Sequence, residues 1–287
     1  DIRRRRLAAP LGRSRPDRDT TGMRVATFNV QRGTPSAGAR EAGLSAGDAL
    51  EAAATELSEL GLDVLALQEV DEPLRGLAPS AYRSLSAASN LANRRFAPAR
   101  RLLTAFAAAL RGRRRSGYGI ALATRLPVLS WKVLRLPSWK SPIRRDLSGE
   151  RGVAGRYIRF EEQRMAIVAA LDAGRPLLVC ATHLTPNSAL NSRQLAWLER
   201  RLPRIARRRG IRGAPILVLG DLNMDVEKVR RESGLGVLAE GLTYPEDAPD
   251  AQIDHVLGWG MVPGGEASIV HLPVSDHAGL VADVEFE

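Results

Sequence analysis

Apolar residues in this chain recur with two spacings, and each spacing predicts a different kind of element. Short apolar runs that end at a polar residue predict buried strands. These runs cover residues 24–29, 62–67, 119–124, 131–136, 153–160, 165–171, 177–182, 215–219, 253–257, 267–271 and 280–286. The sequence Asp172-Ala173-Gly174 is a turn between two of the runs and predicts a hairpin.

Three stretches carry apolar side chains at helical spacing instead, namely residues 45–60, 86–111 and 191–209. In the first stretch Leu50 and Leu57 lie two helical turns apart and would therefore share one face of the helix. Strands that are joined both by hairpins and by helices indicate mixed sheets flanked by helices. We therefore expect an α/β protein in one domain, without internal repeats.

Composition places the chain among ordinary globular proteins, since 44% of its 287 residues are apolar. No run approaches the ~20 apolar residues that a membrane-spanning helix needs. Cys180 is the single cysteine, so no intrachain disulfide can form, which fits a reducing compartment. The arginine-rich N-terminus lacks the apolar core of a signal peptide. These observations favour a cytoplasmic protein, and no feature of the pattern predicts an oligomer, so a monomer is expected.

The net charge of +10 is concentrated in two segments. Residues 1–22 hold seven arginines and three aspartates, and their lack of apolar periodicity predicts a disordered basic extension before a domain at 23–287. Residues 94–115 hold eight arginines and no acid. This basic segment is a candidate surface for nucleic acid, and less plausibly for an anionic membrane, with solvated surface as the alternative.

Polar residues recur at the points where the predicted strands meet loops. They are Asn29, Glu69, His183, Asp221, Asn223, Asp254, Asp276 and His277. If the strands share sheets in similar orientation, their ends meet at one rim and bring these side chains together. Carboxylates beside histidines can polarise water and hold a hydrated metal ion next to a phosphate. The pattern therefore points to a metal-dependent phosphodiesterase or phosphatase.

Six motifs, in this order along the chain, resemble those of the endonuclease/exonuclease/phosphatase superfamily. They are Thr27-Phe28-Asn29-Val30, Leu67-Gln68-Glu69-Val70, Thr182-His183-Leu184, Gly220-Asp221-Leu222-Asn223, Ile253-Asp254-His255 and Ser275-Asp276-His277. The resemblance spans residues 23–287. It implies a four-layer sandwich of two packed mixed β-sheets with helices outside. It also implies phosphoester cleavage that depends on magnesium or manganese.

The resemblance assigns metal and substrate contacts to five residues. Glu69 matches the main metal carboxylate, and Asn29 and Asp276 would complete an oxygen-rich site of the kind that magnesium prefers. Tyr118 and Arg151 match positions that would contact the phosphate. Packing of Tyr118 and a surface location of Arg151 are the alternative explanations.

The other motif residues are implied to carry out the chemistry. Asp254 would orient His277 and favour its imidazolium form. Either His277 or Asp221 would polarise the attacking water, and the sequence does not choose between them. Asn223 and His183 would donate hydrogen bonds to phosphate oxygens, where charge develops in the transition state.

One competing hydrolase class lacks its signature here. The four histidines form no His-Glu-x-x-His motif, which a zinc hydrolase of that type would show. The substrate stays open between nucleic acid and a phospholipid or inositol phosphate. A binding module that kept the fold without activity is a further alternative, although it would have no need for the full set of polar residues.

Overall fold

The computed structural model describes residues 22–72, 81–88, 91–99, 117–138, 143–144, 157–158 and 162–287. The predicted N-terminal extension, apart from its last residue, lies outside the described residues. Arg151 and residues 100–115 of the basic segment also lie outside them.

Strands and helices are interspersed along the described part of the chain. The strands are β1 (Gly22–Asn29), β2 (Val64–Glu72), β3 (Asn93–Pro98), β4 (Gly117–Thr124), β5 (Val128–Arg135), β6 (Ile143–Arg144), β7 (Tyr157–Ile158), β8 (Met165–Asp172), β9 (Pro176–His183), β10 (Ile216–Asp221), β11 (Gly236–Val237), β12 (Asp254–Trp259), β13 (Met261–Pro263), β14 (Ser268–Val270) and β15 (Gly279–Phe286). The α-helices are α1 (Ala37–Glu41), α2 (Ala46–Glu59), α3 (Ala81–Ala88), α4 (Ser188–Arg208) and α5 (Val226–Glu232). A 3-10 turn covers Gln31–Gly33.

Two mixed sheets account for most of the strands. The seven-stranded sheet has the order β13-β15-β1-β2-β4-β3, with β14 also paired to β15, and the six-stranded sheet has the order β11-β12-β10-β9-β8-β5. In each sheet one central pair is parallel, β1 with β2 and β9 with β10, while the flanking pairs are antiparallel. The short strands β6 and β7 pair with each other.

Three apolar clusters stack these sheets and helices into the predicted four-layer sandwich. The central cluster lies between the sheets and includes Val25 and Leu217. A second cluster packs α2 and α3 on the seven-stranded sheet, and a third packs α4 on the six-stranded sheet. Both faces of the central strands are therefore buried, which explains why those strands are almost uniformly apolar.

The helix predicted for residues 86–111 is wrong over residues 93–98, which form a strand. Helix α3 ends at Ala88, and β3 follows as the edge strand of the seven-stranded sheet. The alternation that marks a strand is weak in β3, because Arg94 and Arg95 are both exposed. Pairing with β4 and burial of Ala97 outweigh the local helical pattern.

The apolar spacing predicted a helix at residues 191–209, and helix α4 confirms it. Helix α4 is 21 residues long and contains Pro203. Its buried stripe, which includes Leu195 and Leu202, packs on the six-stranded sheet. No helix in the described part of the chain is both long and apolar enough to cross a membrane.

Gly220 should be indispensable for the pairing of β10 with β9. A Cβ atom at this position would lie 2.1 Å from the main-chain oxygen of Thr182, which cannot move without breaking the sheet. We expect Gly220→Ala to lower the free energy of unfolding by about 3 kcal/mol, as overpacking of a tight interior does. Urea unfolding measures this loss.

Gly38→Ala is the matched control for that substitution. Gly38 lies on the exposed side of α1, and a Cβ there would meet no atom within 4 Å. The control should be neutral or up to about 1 kcal/mol more stable, since alanine favours a helix over glycine. Equal stability of wild type and Gly220→Ala would contradict the close approach of the two strands.

Candidate active site

Strand alternation places four polar side chains at one end of the central core. Apolar residues at alternate positions of β1, β9, β10 and β12 pack between the sheets. Residues two positions apart in a strand point to the same face. The strand faces that pack between the sheets therefore also carry the polar residues at this end of the core. These residues are Asn29, His183, Asp221 and Asp254. The strand register sets the last three side by side, with Asp221 in the middle.

A buried pair of side chains joins His277 to Asp254. The imidazole Nδ1 lies 2.8 Å from Asp254 Oδ2, and Asp254 has no exposed surface. Burial alone would lower the pKa of His277, but the hydrogen bond and charge of Asp254 outweigh it and raise this pKa to about 9. His277 is therefore an imidazolium at neutral pH.

Asp221 lies at the centre of a hydrogen-bonded cluster. Its Oδ1 accepts from the backbone N–H of Asn223 at 2.9 Å, and its Oδ2 accepts from Asn29 Nδ2 at 3.0 Å. Burial, followed by the charge of Asp254, raises the pKa of the Asp221 carboxyl to about 7. Asn29 Nδ2 also lies 3.5 Å from His277 Nε2, so the cluster adjoins the His277–Asp254 pair.

Arg164 contacts this cluster from the start of β8, and no motif in the sequence indicated it. Its Nη1 lies 3.0 Å from His183 Nδ1. A guanidinium only donates hydrogen bonds, so Nδ1 must be the acceptor and His183 carries its proton on Nε2. Burial, and then the charges of Arg164 and His277, lower the pKa of His183 well below its usual value. Nε2 of this neutral ring lies 3.3 Å from Asp221 Oδ2.

Glu69 belongs to a neighbouring group in the second half of β2. The pairing of β2 with β4 is irregular between Leu67 and Val70, and Glu69 has a φ of 54° there. Regular alternation would turn Glu69 away from the inner face; the irregularity lets it hydrogen-bond Tyr118 at the start of β4. Burial, then the Glu69 charge, raises the pKa of the Tyr118 hydroxyl, which stays protonated.

Strained backbone is concentrated around these groups. Five non-glycine residues have positive φ in the part of the chain that the structure describes, and all five belong to the site or flank it. They are Gln31, Arg32, Glu69, Asn223 and Ser275. Arg32 stacks on the Tyr118 ring at 4.6 Å. Conformations of this kind cost about 1–3 kcal/mol each and cluster where a side chain must be aimed.

Ser275 ties the last motif to the end of β1. Its hydroxyl donates to the main-chain oxygen of Asn29 at 2.6 Å and accepts from the N–H of His277 at 3.1 Å. Asp276 between them is half-buried, and its negative charge contributes to the raised pKa of His277. Tyr244 covers the other side of His277, with ring centroids 4.8 Å apart.

Two sets of residues in the described part of the chain could hold a cation. Asp221, Asp254 and His277 offer ligand atoms that all lie within 4.8 Å of one another. However, the facing atoms of Asp254 and His277 are already hydrogen-bonded to each other, and all three residues are buried. Magnesium prefers oxygen ligands and keeps several of its waters. Glu69 and Asp276 are only half-buried, and their carboxylate oxygens fit that preference better.

The structure thus brings most of the predicted residues together and adds others. Direct contacts join Asn29, His183, Asp221, Asn223, Asp254 and His277, while Glu69 contacts Tyr118 and Asp276 adjoins His277. The residues that the sequence patterns did not indicate are Arg32, Arg164, Tyr244 and Ser275 as a structural tie. Arg32 and Arg164 immediately follow or precede strands that end at the site, which is the one signal that could have suggested them.

Several solved structures share this fold. An endonuclease/exonuclease/phosphatase family protein from Leptotrichia buccalis superposes with a TM-score of 0.63 at 16% identity, covering 92% of this chain and 100% of that one. Mannosyl-6-phosphatase Bt3783 of Bacteroides thetaiotaomicron gives 0.61 at 12% identity, covering 92% and 100%. TDP2 of D. rerio, complexed with single-strand DNA product, gives 0.60 at 13% identity, covering 92% and 99%.

Sequence comparison leads to the same assignment. No curated protein matches the chain. The sequence profile described as "Endonuclease/Exonuclease/phosphatase family" matches residues 26–277, which include every motif described above. The family is metal-dependent and acts on phosphoester bonds. The chain belongs to the endonuclease/exonuclease/phosphatase family and is a hydrolase of phosphoester bonds.

Proposed function

We propose that this protein hydrolyses a phosphodiester by metal-assisted attack of water. The observation that carries the proposal is the position of Asp221. Its carboxylate is buried, accepts hydrogen bonds from Asn29 and Asn223, and lies next to the His277–Asp254 pair. A site that served only to bind a partner would have no use for a buried carboxylate beside a buried imidazolium, because both cost desolvation energy.

Glu69, Asn29 and Asp276 are the proposed metal ligands, with magnesium as the expected ion and manganese as the alternative. Once bound, such an ion would supply positive charge to the phosphate and acidify a water molecule. Asn29 is fixed by Asp221 and by the N–H of Gln31, which donates to its Oδ1 at 3.2 Å.

Asp221 is the better candidate for the general base. His277 is held as an imidazolium by Asp254, so it has no free lone pair to accept a proton. Asp221 is ionisable near neutral pH and is oriented by two donors, the Asn29 amide and the N–H of Asn223. In this scheme Asp221 takes the proton of the attacking water, and His277 stabilises negative charge on the phosphate oxygens. His183 and Asn223 would complete the oxygen-binding side.

A nucleic-acid phosphodiester is the first candidate substrate. Tyr244 is 37% exposed beside His277, and its ring offers a face on which a base could stack. The TDP2 complex with DNA product indicates that the fold accepts such a strand. The described part of the basic segment lends no support, because Arg94 and Arg95 pair toward the end of β4 that is remote from Tyr118.

A sugar or inositol phosphate, or a phospholipid, is the second candidate. The similar mannosyl-6-phosphatase shows that the fold also accommodates a phosphorylated sugar. A screen of plasmid DNA, RNA, inositol phosphates and sphingomyelin with magnesium separates these classes. Cleavage of DNA or RNA alone supports the first candidate, and turnover of none of them would favour a binding module.

Glu69→Gln and His277→Ala should each abolish most magnesium-dependent hydrolysis of bis(p-nitrophenyl) phosphate. Loss of the carboxylate or of the imidazolium is expected to reduce kcat by about 10²–10⁴. Release of p-nitrophenolate measures the rate. Glu59→Gln at the exposed end of α2 and His271→Ala, an exposed histidine, are matched controls and should keep wild-type rates. Full activity in either site variant would refute the mechanism.

Asp254→Asn should lower the pKa of His277, because it removes the negative charge that raises this pKa to about 9. NMR titration of the imidazole in metal-free protein measures it. Since the charged form would then be lost at lower pH, activity should decline at a lower pH than in wild type. An unchanged titration of His277 would show that the pair does not set its charge.

Arg164→Met should raise the pKa of His183, since it removes a positive charge and the donor to Nδ1. We expect a roughly tenfold decrease in kcat, because partners that orient a histidine contribute a factor of this size to the activity of metal sites. Arg164→Lys keeps a charged donor and should recover part of the rate. If Arg164→Met kept the wild-type pKa and rate, Arg164 would be only a packing residue.

A further inference from the structure

A groove of about 530 Å³ lies at the opposite end of the six-stranded sheet from the active site. Ile216, the first residue of β10, lines the groove, whereas Asp221 at the other end of the same strand belongs to the active site. The second half of α4 forms one wall, and Leu235 and Trp259 form the other. We call it the Trp259 groove.

The groove presents apolar surface to solvent. Trp259 is 51% exposed, which is uncommon for so large an apolar side chain. Leu202 and Ala206 of α4 are buried against the six-stranded sheet, and they also line the groove. The groove falls within the size range of small-molecule sites, about 300–1,000 Å³, and is lined mainly by apolar residues as those sites are.

Three arginines rim this apolar surface, and among the described residues they have no acidic partner. Arg204 and Arg207 lie one helical turn apart on α4, and Arg212 follows the helix. All three are exposed, and none contacts a carboxylate within the described residues. Glu199 is the acid in the lining, but its oxygens accept from Ser233 Oγ and the N–H of Gly234. The charge that the groove offers to a ligand is therefore positive.

We propose that the Trp259 groove binds a small amphipathic organic anion. The aromatic or aliphatic body of the ligand lies against Trp259 and Leu235. Its carboxylate, sulfonate or phosphate accepts hydrogen bonds from Arg207 and its neighbours. Residues 1–22 are poor occupants, because their own net charge of +4 opposes the arginines. The site is separate from the active site and does not depend on the proposed function.

Arg207 has a second explanation that the test must separate. It lies in the last turn of α4, where a cation complements the negative end of the helix dipole. Arg208 occupies the same turn but does not line the Trp259 groove. Arg208→Gln is therefore the matched control for Arg207→Gln, because both substitutions lose the dipole interaction.

Two related fluorophores provide the measurement on the full-length protein. The anion 8-anilinonaphthalene-1-sulfonate and the neutral N-phenyl-1-naphthylamine share their rings and differ by the sulfonate. We expect the anion to bind with one-to-one stoichiometry and roughly tenfold lower Kd than the neutral compound, as a charge-assisted hydrogen bond provides. Equal affinity for the two compounds, or no saturable binding, would overturn the proposal.

The variants assign the binding to the groove. Arg207→Gln should weaken the anion roughly fivefold and leave the neutral compound unchanged, while Trp259→Ala should weaken both. Arg208→Gln should weaken neither. An equal effect of Arg207→Gln and Arg208→Gln would overturn the proposal, as would loss of binding upon dimerisation, which would make a second copy the occupant. Circular dichroism and hydrolysis of bis(p-nitrophenyl) phosphate confirm that each variant is folded.

Discussion

The buried hydrogen bond from Asn29 to Asp221 is the contact on which the site depends, because it joins the two sheets. Asn29 ends β1 in one sheet, and Asp221 ends β10 in the other. The sheets must pack with these ends level for the two side chains to meet. The groups around Asp221 follow from this contact: His183 and Asp254 lie beside Asp221 by strand register, and His277 is held by its hydrogen bond to Asp254. The central apolar core thus determines the geometry of the chemistry.

Sequence patterns could predict the parts of the structure that follow from strand alternation. Asn29, His183, Asp221 and Asp254 continue the inner faces of apolar strands, so their convergence follows from period two alone. Glu69 could be assigned to the site only by its motif, because regular strand alternation would turn its side chain away from the inner face of the sheet. Its position depends on an irregular pairing and a positive φ, which no local pattern encodes. Arg164 was missed because a single arginine before a strand has many possible partners.

The edge strand β3 is a case in which the local sequence pattern predicts the wrong element. Its local pattern favours a helix, and only the exposed edge of β4 makes a strand the better solution. The same sheet order leaves the two ends of the sandwich with different characters. One end concentrates buried ionisable groups and strained backbone, whereas the other carries an apolar groove with exposed arginines. A hydrolytic site and a separate anion site can therefore coexist without sharing residues.

Isotope incorporation during hydrolysis tests whether Asp221 directs the attack of water on the phosphate. Wild-type protein and Asp221→Asn are incubated with magnesium and bis(p-nitrophenyl) phosphate in H₂¹⁸O, and the mass of the product is measured by mass spectrometry. We expect one ¹⁸O atom in each p-nitrophenyl phosphate formed by wild type. The variant should react more slowly by a factor of about 10²–10⁴, because the proton acceptor is lost. Product without ¹⁸O, or an unimpaired variant, would contradict water attack directed by Asp221.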